Sequence, residues 1–210
     1  MAHIISIIGQ KGGIGKTTIA WNLFITLLSQ GYKVKLVDCD NNQFSTYEIA
    51  QIRKNKLGGD LVDVECMPAN EARYVLRECD KSYDVIIFEC GGRIDDELKM
   101  AISYGDKIIM PLKPSILEIQ TIKNVEKVID RIPNFNADCK ILPNMVSTHH
   151  LNNDLDQMKN LNPRYFKFMK SFISHRSIYS SSLTFGRSIF EMSPLDNKAN
   201  NEFNNFLLEL

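Results

Sequence analysis

Ten residues near the start of the chain, Gly9-Gln10-Lys11-Gly12-Gly13-Ile14-Gly15-Lys16-Thr17-Thr18, concentrate groups that could do chemistry. Glycines at this spacing let the backbone curl until successive N–H groups point inward and form a concave anion site. The residues after them add an ammonium group and two hydroxyls. On this reading Gly12, Gly13, Gly15, Lys16, Thr17 and Thr18 hold the phosphates of ATP. Lys16 reaches the β- and γ-phosphates, and the Thr17 hydroxyl is a ligand of Mg²⁺. The spacing departs from the ordinary pattern at its start: Gln10 stands where a glycine belongs, and an extra lysine follows at Lys11.

Two acidic positions end other apolar runs. In Tyr83-Asp84-Val85-Ile86-Ile87-Phe88-Glu89-Cys90-Gly91-Gly92-Arg93, four apolar residues carry the carboxylate of Glu89 to a sheet edge. There it can hold Mg²⁺ through water. Gly91 and Gly92 would let the backbone approach a γ-phosphate and rearrange when it leaves. Arg93 fits either a structural ion pair or a contact across a dimer. The second position lies in Val37-Asp38-Cys39-Asp40-Asn41-Asn42-Gln43, which reads equally as an Asx-rich turn.

Such groups act only if a scaffold brings them to one edge. Short runs rich in Ile and Val at Ile4–Ile8, Lys33–Val37, Asp84–Phe88, Lys107–Pro111 and Cys139–Leu142 read as buried strands, with a weaker one at Leu61–Cys66. Between them Thr17–Gln30, Thr46–Lys54, Ala69–Cys79, Asp95–Tyr104 and Ser115–Arg131 have apolar residues at helical steps. The alternation predicts an α/β fold: a single domain spanning 1–210, with a mostly parallel twisted sheet and helices on both faces. In such sheets ligands bind beyond the carboxyl ends of the strands, where all these motifs fall.

Lys-Gly-Gly-x-Gly-Lys-Thr-Thr resembles the deviant Walker A motif of the ParA/MinD class of P-loop ATPases. The resemblance implies an ATPase with ATP and Mg²⁺ as cofactors. It implies a homodimer formed with ATP, in which Lys11 reaches the phosphates of the other subunit and is catalytic together with Lys16. The Asp38–Gln43 stretch is similar to the Asp-x-Asp-Pro-Gln switch of that class, with Asn41 in place of proline. By that resemblance Asp40 positions the attacking water, and Asp38 supports the Mg²⁺ region. Glu89 stands where the class usually has aspartate, one methylene shorter. Asp40, Gly91, Gly92 and Arg93 then form the switches. Pro111-Leu112-Lys113-Pro114-Ser115 resembles the proline-bearing segment of plasmid-partition ATPases. Asn144, after Leu142-Pro143, stands where relatives use an asparagine on the adenine ring, though it reads equally as a turn residue.

Lysine plus arginine equals aspartate plus glutamate at 25 each, so the molecule as a whole does not attract polyanions. Local charge is another matter. Gln157–Phe190 holds Lys159, Arg164, Lys167, Lys170, Arg176 and Arg187 and no acidic residue. This is either a solvated basic face or a site for non-specific DNA, with Lys167, Lys170, Arg176 and Arg187 as the contacts. Seven aromatics are interleaved, and most belong to the core. Five cysteines without a Cys-x-x-Cys pair argue against a disulfide framework or a metal cluster and fit a reducing cytoplasm. No segment approaches the roughly 20 apolar residues that span a bilayer.

The resemblance points to small plasmid-type ParA proteins that lack an N-terminal DNA-reading domain. The expected role is DNA partition: nucleoid-associated in the cytoplasm, bound to DNA in the ATP state, and released when a ParB-like centromere-binding adaptor stimulates hydrolysis. A MinD-like positioning ATPase and a metal-cluster carrier use the same fold. The first calls for a basic amphipathic C-terminal helix, whereas Asn200–Leu210 has no lysine or arginine.

Overall fold

Side chains that alternate along a strand must be apolar on both sides if helices cover both faces of the sheet. The computed structural model shows this arrangement for residues 2–39, 45–59, 61–68, 71–72, 74–75, 81–91, 96–115, 118–148, 155–156, 158 and 161–210. Strands β1 (His3–Ile7), β2 (Val34–Asp38), β3 (Val64–Cys66), β4 (Val85–Glu89), β5 (Lys107–Leu112) and β6 (Asp138–Val146) all run parallel, with two short strands, β7 (Lys167–Phe168) and β8 (Ile173–Ser174), added beside β6. Their order is β3-β2-β4-β1-β5-β6-β7, with β8 also on β6. The helices are α1 (Lys16–Ser29), α2 (Ser45–Leu57), α3 (Asp96–Tyr104), α4 (Glu118–Ile129), α5 (Ser177–Thr184) and α6 (Asn197–Glu209), with a 3₁₀ turn at Ile189–Glu191.

The alternation sorts the core by face. Ile7, Ile87, Ile109 and Leu142 pack with Trp21 and Phe24 of α1 and with Phe203 and Phe206 of α6. Ile108, Met110 and Ile141 turn the other way, onto Leu98 and Ile102 of α3 and Val125 and Ile129 of α4. Ile86, Phe88, Val37 and Cys39 form a third cluster. No helix among the described residues is long and apolar enough to cross a membrane.

Two boundaries matter for the site. β2 and β4 each run one residue further than the apolar pattern indicated and end on the acidic residues themselves. Asp38 and Glu89 are register partners on neighbouring strands, and Glu89 also pairs with Ile7, the last residue of β1 before the glycine loop. Ladder bonds from Cys39 N to Glu89 O (2.8 Å) and from Cys90 N to Ile7 O (3.1 Å) fix this edge. β6 was expected to stop near Leu142. It continues through Pro143 and Asn144 to Val146, with a register shift between Asn144 and Val146 and Met145 at φ 53°. A positive φ at a non-glycine residue is uncommon, and here it re-aims the end of the strand toward the loop. The helix expected at Ala69–Cys79 falls largely outside the described residues.

Candidate nucleotide site

The loop leaves β1 and delivers the chain into α1 at Gly15. α1 has neither a side-chain cap nor an acidic residue in its first turn. Its leading N–H groups therefore face out of the loop with the positive end of the helix dipole behind them, an arrangement built for an anion. Gly15 has φ 87°, and a Cβ there would stand 2.4 Å from Asn144 Nδ2. Glycine is required on both counts. The close approach exists because Asn144 Nδ2 donates to Ile14 O at 2.6 Å, tying the loop to the end of β6. At Gly9 a Cβ would meet Ile14 Cδ1 at 2.3 Å, the tip of a side chain that can shift.

The charged groups gather beneath the loop. Thr17 Oγ1 donates to Glu89 Oε1 at 2.5 Å. Asp38 Oδ2 accepts from Thr46 N (3.2 Å) and Thr46 Oγ1 (2.8 Å), so the second carboxylate also anchors the start of α2. Lys16 is buried, and its Nζ lies 3.5 Å from the Lys11 carbonyl, across the mouth of the loop. A cavity of about 260 Å³ is lined by Gly12, Gly13, Gly15, Lys16, Thr17, Thr18, Asp38, Ser45, Glu89 and Met145. A hydroxyl and two carboxylates are hard oxygen donors, the set that suits Mg²⁺ with water completing its shell. The donors present therefore fit that ion.

A second cavity of about 290 Å³ meets the first at Gly15, Thr18 and Met145. Asn144, Ile173, His175, Arg176 and Tyr179 are among its other walls. A polar cavity holding Lys16 thus adjoins a more apolar one, an arrangement that a phosphate chain joined to a nucleoside would fill. Glu202 of α6 organises this second wall. It accepts from Ser174 N (3.0 Å), Ser174 Oγ (2.8 Å) and Arg176 Nη2 (2.7 Å). The hydrogen bond to Glu202 raises the Arg176 pKa further, and burial holds the Tyr179 phenol far above its ordinary value. Both wall residues keep one charge state across neutral pH.

The pattern that defines the CobQ/CobB/MinD/ParA nucleotide binding domain matches residues 5–189. The chain belongs to this family. Among curated proteins it is 25% identical over 194 residues to the septum site-determining protein MinD of Bacillus subtilis, covering 75% of this chain and 72% of that one. Among solved structures it is similar to a candidate plasmid partition protein from Borrelia burgdorferi B31 bound to AMPPNP, with TM-score 0.70, 20% identity and complete coverage of both chains. The MinD of Pyrococcus horikoshii OT3 complexed with Mg-ADP gives TM-score 0.70 at 20% identity, over 98% of this chain and 94% of that one. These structural likenesses bear on the fold, which is that of the ParA/MinD family.

For a ParA/MinD-family chain, the place of Lys11 matters. Its Nζ is held 2.7 Å from Glu118 Oε1, at the first residue of α4. Gly91 is buried directly after β4, while Asp40, Gly92 and Arg93 lie outside the described residues. The four cations read as DNA contacts do not stay together as a bare patch. Lys167 and Lys170 are exposed. The Arg176 guanidinium is instead bound to Glu202 in the cavity wall, and Arg187 Nη1 donates to Glu191 O at 3.3 Å. Arg164, in the same stretch, is taken by Asp130 at 2.9 Å. The acids that do pair, Asp130 just past α4 and Glu202 of α6, lie outside the acid-free segment, so that segment could not reveal them. Cys39 and Cys90 are fully enclosed, and burial raises the Cys39 thiol well above its usual range, which keeps it protonated. Among the described residues no group of three or more His, Cys, Asp or Glu is placed to hold a metal ion.

Sequence reasoning missed Met145, Thr46, Glu118 and Glu202. Met145 and Thr46 had a faint signal, being next to Asn144 and at a helix start. The two glutamates had none, because each meets the site only through tertiary packing.

Proposed function

We propose that this chain is an ATP-driven switch of the DNA-partition type. It would bind ATP with Mg²⁺, pair with a second copy, hold DNA non-specifically and release it on hydrolysis. The observation that carries this reading is the uncapped first turn of α1, with Lys16 and Thr17, meeting Asp38 and Glu89 in one cavity that adjoins a second. Bound Mg²⁺ would neutralise charge developing on the β- and γ-phosphates. The chain's own groups account for the rest. Loop amides and Lys16 grip the phosphates, Thr17 and Glu89 orient oxygen donors toward the ion, and Asp38 ties this edge to α2, which follows the Asp40 segment. Asp40 positions the water. Lys11, at the rim, is the cation a facing subunit would receive, so hydrolysis would wait for dimerisation. Among the described residues of the 157–190 stretch, exposed Lys167 and Lys170 are the cations left for DNA phosphates. A ParB-like adaptor would accelerate turnover, in a cytoplasmic, nucleoid-associated setting.

The test is DNA retention and sedimentation measured with ATP, ADP and no nucleotide across a salt series. ATP-dependent dimers whose retention on DNA falls steeply with salt are expected. Dimers that ignore DNA but pellet with liposomes would replace partition with a positioning role, and absence of ATP binding would overturn the reading.

A further inference from the structure

The two residues by which the loop departs from the ordinary glycine pattern, Gln10 and Lys11, are both held by α4 of the same chain. Lys11 Nζ is 2.7 Å from Glu118 Oε1. Asn124 Nδ2 donates to Gln10 Oε1 at 3.4 Å, and Gln120 Nε2 in turn donates to Asn124 Oδ1 at 2.8 Å. The partners of the ion pair are unequally buried. The Glu118 side chain is 5% exposed and the Lys11 side chain 44%. The lysine can swing away on its flexible stem, whereas the carboxylate is fixed by packing. Glu118 also sits in the first turn of α4, where the helix dipole favours negative charge. Among the described residues, Glu118 Oε2 and Gln10 Nε2 are buried with no hydrogen-bond partner.

We infer that Glu118 is a positioning residue for Lys11. It parks the lysine in cis in the single chain and gives it up to the triphosphate of a facing subunit when ATP drives dimerisation. This rests on the trans role of Lys11 proposed above. The exchange swaps one carboxylate for a polyanion, so a triphosphate wins the competition. A diphosphate, without the γ-phosphoryl charge, loses it. Lys11 then returns to Glu118 after hydrolysis, and the dimer loses its bridging cation. Glu118 thereby sets both the threshold for dimerisation and the discrimination between ATP and ADP.

The experiment is analytical ultracentrifugation of wild type, Glu118→Gln, Lys11→Ala and the double variant with Mg²⁺ and either ATP or ADP, with melting curves to confirm folding. Glu118→Gln keeps the shape and removes the competing charge. Its half-dimerisation concentration with ATP is expected to fall about tenfold, the size of one modest charge-assisted contact. A dimer is also expected with ADP that the wild type lacks. Adding Glu118→Gln to Lys11→Ala is expected to change nothing, since Glu118 acts through the lysine. An unshifted or weaker Glu118→Gln dimer, or a gain that persists without Lys11, overturns the inference and leaves the proposed function standing. A wild type that stays monomeric with ATP sinks both. Should the Gln variant not fold, Glu118→Asp withdraws the charge by one methylene. It is expected to shift the midpoint the same way by a smaller factor, and no shift there also overturns the inference.

Discussion

At the residue scale, the choice of glutamate at position 89 decides how the phosphate loop and the sheet edge are joined. The longer side chain reaches Thr17 directly, at 2.5 Å, while Asp38 on the neighbouring strand turns to Thr46. One carboxylate thus serves the loop and the other serves α2. If Glu89 acts through the metal, Glu89→Gln removes most of the Mg²⁺-dependent tightening of ATP binding. The expected loss is about ten- to a hundredfold, from the roughly 1.5–3 kcal/mol of a charged hydrogen bond. Binding in EDTA should hardly change. Titrating a fluorescent ATP analogue with and without Mg²⁺ separates the cases, and equal losses in both would place the role of Glu89 in the loop itself. The loop and Glu89 were legible in the sequence because their chemistry is written in consecutive residues: glycines for the curl, Lys16 and Thr17 for the ligand, four apolar residues before a carboxylate. Asn144 was legible only as a position. Its hydrogen bond to the Ile14 carbonyl belongs to a contact 130 residues away along the chain, which no local pattern encodes.

At the element scale, strands β1 to β6 and helices α1 to α4 followed from periodicity because their burial is regular. The closing segments did not, since β7 and β8 are two residues each and α5 is rich in serine. These late elements add ion pairs to the core contacts of Ile173, Tyr179, Ile189 and Phe203. Glu202 fastens the 173–176 wall to α6, and Arg53 of α2 makes a two-pronged pair with Glu191 of the 3₁₀ turn, at 2.8 Å on each side. Arg53 Nη1 also donates to Gly186 O at 2.9 Å. Burial alone would push the Glu191 carboxyl upward, but hydrogen bonds from Arg53 and the Ser188 amide outweigh it and hold the group below its ordinary value. A group depressed on folding stabilises the native state above its unfolded pKa, about 4.3 for glutamate, and that stabilisation fades as pH falls through the folded value. Glu191→Gln is therefore expected to melt below the wild type at pH 7, with the gap closing as the pH is taken below about 4. Melting curves of both proteins from pH 7 to pH 3 test this. A gap that stays constant would assign the loss to packing rather than to the charged pair.

At the scale of the whole molecule, the balance of 25 basic and 25 acidic residues is enforced locally as well as globally. The run of six cations that looked like a continuous basic face is divided by the fold. Lys159 lies outside the described residues; of the other five, Arg164 goes to Asp130 just past α4, Arg176 to α6 and the wall of the second cavity, and Arg187 to a backbone carbonyl, leaving Lys167 and Lys170 exposed near the sheet's β7 edge. DNA binding and nucleotide binding should therefore separate by mutation within one short stretch. Replacing Lys167 and Lys170 together by alanine removes about two phosphate contacts. The slope of log affinity against log salt is then expected to become shallower by about 2, at roughly one per lysine, with ATP affinity and turnover unchanged. Arg176→Ala is expected to do the reverse, weakening ATP binding through the loosened cavity wall while leaving the salt slope of the ATP-bound dimer as it was. Filter binding over a salt series, run at saturating ATP for each variant, measures both effects. If Arg176→Ala flattens the slope as much as the double lysine variant does, the guanidinium leaves Glu202 in the dimer and faces DNA, and the two surfaces are one.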